Sequence, residues 1–293
     1  MDPVTRLIFA AAGDAIRGQA AFTTPGTFSW TVPGGVRSIS VVCVEGGAGG
    51  QVQRGGNGGM LAYSNAVPVV PGETLTVVVG SGGAGSDTDE FGLRRPPSGS
   101  ASALRRGATA LAQARWNAPV GDAVFDGGEG GWGRTVRPAS FGTSRTFSGG
   151  GGGGAAGYAG PGGRGNNTST GQPTAGQGGG GGGGGHRTSD VFGAEGAATG
   201  GGGVGIFGQG ANGAAGASGE NSASPGGGGS GGDDGGEPSS FSSPTPGGAF
   251  GGGGGGGMRL FDDVSGAPGG GGAVRIIWPG TQRQFPSTRT GDE

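Results

Sequence analysis

Apolar and polar residues alternate near both ends of the chain, and this period of two predicts β-strands. The N-terminal part holds four stretches that predict strands, which are PGTFSWTVPGGV (25–36), ISVVCV (39–44), TLTVVV (74–79) and SGSASALRRGATALAQARW (98–116). The second and third of these are near-continuous apolar runs. An Arg-Gly turn divides the fourth stretch into two strands, and Pro71-Gly72 predicts a tight turn before TLTVVV. A last strand, in GGAVRIIWPG (271–280), carries Val274, Ile276 and Trp278 on one face. Trp30 and Trp278 are therefore assigned to the core of a small antiparallel sandwich or jelly roll.

The first 21 residues carry a different period, which predicts one short amphipathic helix. Its apolar face includes Val4, Leu7, Ile8 and Ile16. Asp2 can cap this helix and Gly18 can end it. So short a helix cannot form a core alone. Residues 1–24 are therefore interpreted as an attachment segment, with those four apolar residues as a candidate assembly anchor.

The middle of the chain follows neither period, because it consists mainly of glycine. The chain has 85 Gly in 293 residues, roughly fourfold above average usage. The runs include 149–154, 178–185, 200–203, 226–229 and 251–257. This pattern divides the chain into a β-rich part (25–147), a glycine region with polar inserts (148–272), and a closing strand with a polar tail (273–293). Strands on both sides of the glycine region favour one domain over 25–293.

Four structures could accommodate the glycine runs. A flexible Gly/Ser linker is the default, but the inserts contain Phe and Leu, which disordered linkers lack. Collagen needs Gly strictly at every third position, and calcium-binding β-helices need a tandem GGxGxDxUx repeat. The interpretation we favour is a bundle of polyproline-II-type glycine helices, whose free backbone groups bond laterally to one another. The predicted fold class is thus all-β, a sandwich that frames a glycine-helix bundle.

Charge and composition exclude several functions. The net charge is -2, and all 18 basic residues are Arg, so no basic surface for nucleic acid is expected. No apolar run approaches the length of a membrane span. Cys43 is the only cysteine and lies in a buried-strand pattern, so neither a disulfide nor a Cys-based metal site is predicted. Matches to GxGxxG arise by chance in this composition, and no cofactor is expected.

The polar inserts are the candidates for binding, because loops on a rigid scaffold commonly carry recognition. The candidate receptor or partner contacts are His186, Phe192, Phe241 and Phe261. A catalytic role for His186 would need a nucleophile and an orienting acid, and the sequence favours a solvated loop instead. Acidic clusters at 87–90, 233–237 and 262–263 can be calcium ligands, but each is interpreted as solvated surface. No metal site and no enzymatic activity are predicted.

Residues 25–293 resemble, in order, the glycine-rich domain of tailed-phage structural proteins. The resemblance rests on PGTFSWTVPGGVRSISVVCVEGGAGG, GGNGGMLAYSNAVPVVPGETLTVVVGSGG, AAGYAGPGGRG, GGGGVGIFGQGANGAAG and GGAVRIIWPGTQRQFPSTRTGDE. It is closest to virion proteins of contractile-tailed phages that infect cyanobacteria. It is also similar in kind to tail-fibre adhesins, in which a glycine-helix core displays receptor-binding loops.

The resemblance implies a non-enzymatic virion protein, in a tail fibre or a baseplate appendage. The implied partners are other virion proteins and further copies of this chain, with a host surface receptor as an additional candidate. An adhesin at the distal tip is the alternative, and an ice-binding or extracellular-matrix protein is a weaker one. A regular Thr-rich face would favour ice binding, and the sequence lacks one.

Overall fold

The structure is a computed structural model that describes residues 17–86, 98–133, 149–167, 171–188, 196, 198–220, 222–238, 243–257 and 264–287. The strands are β1 (Gly18–Phe22), β2 (Gly26–Thr31), β3 (Ser38–Val44), β4 (Leu61–Pro68), β5 (Thr74–Val79), β6 (Ser102–Arg106), β7 (Thr109–Ala114), β8 (Ala123–Phe125), β9 (Arg187–Thr188), β10 (Ser218–Glu220), β11 (Ser222–Ala223) and β12 (Ala273–Trp278). The described residues contain no α-helix. The all-β prediction is therefore confirmed.

Two antiparallel sheets form the sandwich. The first has the order β1-β12-β3-β4-β8 and the second the order β2-β5-β6-β7. A small third sheet joins β11, β10 and β9. The residues between the two large sheets include Trp30 and Trp278, whose rings lie 5.7 Å apart. The predicted strands and the predicted core tryptophans are thus confirmed, and the Arg-Gly turn places Gly107 at a φ of 58°, where glycine is favoured.

The five-stranded sheet is buried on both faces. Ile39, Val41 and Cys43 point into the sandwich core, whereas Val42 and Val44 pack against Ala155, Tyr158 and Ile206 of the glycine region, among others. A strand covered on both sides reads as a continuous apolar run, which explains SISVVCV. This sheet is therefore the layer that joins the sandwich to the glycine region.

The predicted helix over residues 1–21 is wrong at its C-terminal end. Residues 18–22 form β1, which pairs antiparallel with β12 from Gly18↔Trp278 to Phe22↔Val274. Long-range pairing with the closing strand overrides the weak local helical period. The rest of the predicted helix, with Val4, Leu7, Ile8 and Ile16, lies outside the described residues.

A buried arginine fastens three elements at this edge of the sheet. Arg275 of β12 is fully buried on the face towards the glycine region. Its guanidinium donates to Gln19 Oε1 of β1 and, at 3.2 Å, to the carbonyl of Ile206. It also lies over the Phe207 ring, 4.5 Å from the centroid. A buried charge needs such partners, so Arg275 ties both ends of the domain to the glycine region.

The glycine run at 178–185 has a hydrogen-bonding period of three. Amide groups three residues apart donate to the same neighbouring segment, over distances of 2.8 to 3.2 Å. Gly181 donates to Ala155 and Gly184 to Gly152. Gly182 donates to Gly227 and Gly185 to Ser224. Gly180 donates to Gln177 and Gly183 to Thr174. Three residues per turn is the period of a polyproline-II helix, which has no bonds within itself. Each turn therefore presents its amides to three different neighbours.

The carbonyl groups of the same run repeat this arrangement towards three further segments. They accept from amides of segments 163–166, 199–202 and 213–216. The run is thus enclosed by six segments, of which three receive its donors and three supply its acceptors. The runs 150–156 and 252–257 are enclosed in the same way. The bundle also takes in segments 46–50, 55–59 and 126–131, so it extends beyond residues 148–272.

Only glycine permits this packing over most of the interior. A Cβ built on Gly181 would overlap the carbonyl oxygen of Gly202, and one on Gly182 would overlap that of Ala214. Ordering each glycine costs roughly 0.5–1 kcal/mol more than ordering Ala. A lateral hydrogen bond contributes about 1 kcal/mol net. The bundle is therefore stable only when nearly all lateral bonds form together.

We expect Gly182→Ala to destabilise the protein by about 1–3 kcal/mol or more, because its methyl group must displace the backbone of segment 213–217. Gly34→Ala is the matched control, since a Cβ there meets nothing within 4 Å. Urea unfolding followed by tryptophan fluorescence measures both. Equal stability of the two variants would contradict backbone contact packing in the bundle.

We expect the thiol of Cys43 to be unreactive in the folded protein. Burial raises its pKa to about 12, because desolvation penalises the thiolate, and a backbone hydrogen bond with Leu104 opposes this only partly. A thiol reagent at pH near 8 should label the protein only after denaturant is added. Rapid labelling without denaturant would show that the sandwich opens readily.

Candidate functional site

Side chains leave the bundle at every third residue on its outermost segments. In the sequence, these segments consist of triplets in which one residue with a side chain is followed by two glycines. They are RGGNGG at 54–59 and DGGEGGW at 126–132. With three residues per turn, such triplets place all their side chains on one face of a helix. Arg54 and Asn57 form one row, and Asp126, Glu129 and Trp132 form a second.

Four of these segments lie side by side in one outer layer. Segment 54–58 bonds to 126–132, which bonds to 161–167, which bonds to 174–177. The linking bonds include Gly58 to Gly128, Gly162 to Asp126, Gly165 to Glu129, and Thr174 to Arg164. We call this layer the outer face. Its side chains therefore form a grid, with steps of roughly 9 Å along each segment.

A cavity of about 740 Å³ opens on the outer face. The glycines that line it are Gly58, Gly127, Gly128, Gly130 and Gly162. Its walls carry aromatic, acidic, basic and amide side chains. These side chains include those of Arg54, Trp116, Asp126, Glu129, Trp132 and Arg164. A concave surface with a few converging polar groups is the usual form of a ligand site.

Two tryptophans stand at opposite ends of segment 54–58. Trp132 is 39% exposed, and the Arg54 guanidinium lies 4.5 Å from its ring centroid. Trp116 is 43% exposed and lines the cavity beside Asn57 and Gly58. The Trp116 amide donates to the buried Glu45 carboxylate at 3.1 Å, which fixes the backbone below the indole. Both indoles are held by the scaffold and still offer surface to solvent.

The charges on the outer face are balanced. Asp126 and Glu129 are exposed on the central segment, between Arg54 on one neighbouring segment and Arg164 on the other. Asn57 Oδ1 accepts from the Gly130 amide at 3.0 Å, and Thr174 Oγ1 accepts from the Arg164 amide at 2.8 Å. The polar side chains thereby reinforce the layer. The face offers donors and acceptors in alternation.

The structure places the predicted contact residues differently. His186 is only 8% exposed, so its side chain is buried and not displayed as predicted. Its amide donates to Ser218 Oγ at 3.0 Å and it bridges to Ala198. The reason is that the insert continues the bundle directly after the eight-glycine run. Phe192, Phe241 and Phe261 lie outside the described residues.

Of the three acidic clusters, one lies within the described residues. Those at 87–90 and 262–263 lie outside the described residues. In the third, Asp234 Oδ1 accepts from the Gly228 amide at 2.6 Å, so this carboxylate supports the bundle. Within the described residues, no group of three or more His, Cys, Asp or Glu side chains is placed to hold a metal ion. The same residues include no helix of a length and apolarity that could cross a membrane.

Sequence reasoning did not single out Trp116, Asp126 or Glu129. The structure pairs Trp132 with Arg54 on the outer face. The glycine-pair triplets were the signal that would have found the rows, since they read directly as period three. Trp116 carries no such signal, because it follows β7 and reaches the face only through the fold.

Fold and outer face together define a β-sandwich joined to a laterally bonded glycine-helix bundle. In agreement, the family model described as a glycine-rich domain matches residues 23–279. The chain belongs to this glycine-rich domain family. No curated protein matches it significantly.

We expect His186 to make the protein less stable as the pH falls below the usual histidine pKa of 6.5. Burial lowers its pKa from the usual value of 6.5, because desolvation penalises the imidazolium. The unfolded chain therefore binds a proton first as the pH falls. The stabilisation is complete above pH 6.5 and is lost towards the folded pKa, at about 1.4 kcal/mol per pH unit of that interval.

The measurement compares urea unfolding of the protein and of His186→Gln at about pH 7 and about pH 5.5. Since His186 is the only histidine, the variant should lose most of the difference between these two conditions. An unchanged pH dependence in His186→Gln would assign it to carboxylates instead.

Proposed function

We propose that the protein is a non-enzymatic structural component of a tailed-phage virion, in a tail fibre or a baseplate appendage. The observation that carries the structural role is the enclosed glycine bundle, in which the amides and carbonyls of whole runs are hydrogen-bonded to neighbouring segments. Such a body resists deformation because no segment can move without breaking bonds to several others. Rigidity of this kind suits a part that transmits position and displays side chains.

The chemistry of the most reactive side chains supports a non-enzymatic role. The only cysteine is buried with a raised pKa, and the only histidine is buried with a lowered pKa. Neither is presented as a nucleophile or as a base at the outer face. The side chains displayed there suit binding instead.

The placement in a virion is supported by resemblance. Residues 25–293 resemble phage glycine-rich structural domains in order, and the family match over residues 23–279 supports the glycine-rich domain itself. In that setting, the residues before β1 are the proposed attachment segment, and neighbouring virion proteins or further copies of the chain are the proposed partners. The protein would then be localised in the virion, in its tail region.

The second candidate function is a receptor-binding adhesin at the distal tip of a fibre. The observation that favours it is the outer face, where two exposed tryptophans and balanced charges surround one cavity. A concave surface with converging polar groups is the usual form of a ligand site. Both candidates use the same scaffold and differ in what the displayed side chains contact.

Immunogold electron microscopy of purified virions tests the proposal, with antibody against residues 25–293 and, as control, the same antibody absorbed with the purified protein. We expect label on fibres or the baseplate that absorption removes. Label confined to distal tips selects the adhesin. Label on the head contradicts the tail placement, and virions without label contradict a virion role.

A further inference from the structure

The outer face combines three features that together suit a ligand. Its two indoles stay partly exposed although the domain has an apolar core in which to bury them. Its carboxylates and guanidiniums lie in neighbouring rows. The positions between the rows are glycines, whose packing within the bundle leaves no side chain in the space between the rows. We propose that this face is a binding site for a neutral oligosaccharide chain.

The tryptophans match the apolar side of such a ligand. A pyranose ring presents a face of C–H groups that packs on an indole, and Trp offers a large rigid surface at low entropic cost. Trp132 and Trp116 stand at the two ends of segment 54–58, which spans roughly 12 Å at about 3.1 Å per residue. This separation suits an oligosaccharide of more than one sugar ring, which can pack on both indoles at once.

The polar grid matches the hydroxyl side. Asp126 and Glu129 are acceptors, Arg54 and Arg164 are donors, and a hydroxyl group can serve both. Because the two signs are balanced across the face, neither a polyanion nor a polycation is favoured. The hydroxyl groups of a neutral oligosaccharide can donate to the carboxylates and accept from the guanidinium groups.

The geometry disfavours a peptide. Peptides commonly bind by adding a strand to an open backbone edge. Here the carbonyls of Asp126, Glu129, Pro161 and Arg164 already accept from amides of the adjoining segments. A protein partner would also favour an apolar patch at the centre of its interface, whereas the centre of this face carries carboxylates.

The test applies the full-length protein to an array of neutral bacterial surface polysaccharides and of maltohexaose, cellohexaose and chitin hexaose. The strongest binder is then titrated by calorimetry. We expect binding that Trp116→Ala and Trp132→Ala, each alone, weaken by about tenfold. Phe207→Ala is the matched control, because Phe207 is 47% exposed and does not line the cavity, and it should leave the affinity unchanged.

Melting temperatures of all variants separate lost binding from lost folding. Glu129→Gln adds a second route, since it keeps the shape of the side chain and should also weaken binding. Failure of every glycan to bind, or binding that survives both tryptophan changes, overturns the inference.

The source of the glycan, a host surface, rests on the proposed virion role, whereas binding itself is measured on the isolated protein. Glycan binding without virion label would overturn the proposed function and keep this inference. Virion label, with incorporation lost in Trp116→Ala and no glycan binding, would assign the face to a neighbouring protein and overturn the inference alone.

Discussion

The lateral hydrogen bond between glycine helices is the interaction on which the rest of this structure depends. A polyproline-II helix leaves every amide and carbonyl open, so an isolated glycine run in water has no reason to order. Enclosure by neighbours changes this, because the amides and carbonyls of a run such as 181–185 are distributed over six segments. The stability then belongs to the bundle as a whole and cannot be divided among the individual helices.

Such a bundle needs a template that fixes the first segments, and the five-stranded sheet supplies it. The face of this sheet that lies towards the glycine region packs against Ala155, Tyr158, Val204 and Ile206. The last three are among the few large or branched side chains close to the glycine runs. Tyr158 donates to the carbonyl of Gly205 at 3.1 Å, and Arg275 donates to that of Ile206. Side-chain packing, absent within the bundle, is thus concentrated where the bundle meets the sheet. The register of the glycine segments can be set there and passed outwards by hydrogen bonds.

The sequence predicted what side chains encode and missed what only the fold brings together. The strands β2, β6, β7 and β12 follow from alternation and turn residues, β3 and β5 follow from near-continuous apolar runs, and the bundle follows from the length of the glycine runs. β1 was missed because GQAAF alternates weakly and its partner lies more than 250 residues away. The neighbours of each glycine run could not be predicted, since one glycine backbone offers the same groups as another. The rows of the outer face could have been predicted from RGGNGG and DGGEGGW, whereas the burial of His186 could not.

The triplet pattern separates the demands of folding from those of recognition. Within DGGEGGW, a Cβ on Gly127, Gly128, Gly130 or Gly131 would overlap backbone of a neighbouring segment, so these positions admit no other residue. The side chains of Asp126, Glu129 and Trp132 point away from the same backbone and take no part in its packing. Recognition can therefore change at every third residue while the scaffold stays constant. A glycine-rich composition is thus compatible with specific binding, because the glycines determine the spacing of the few side chains between them.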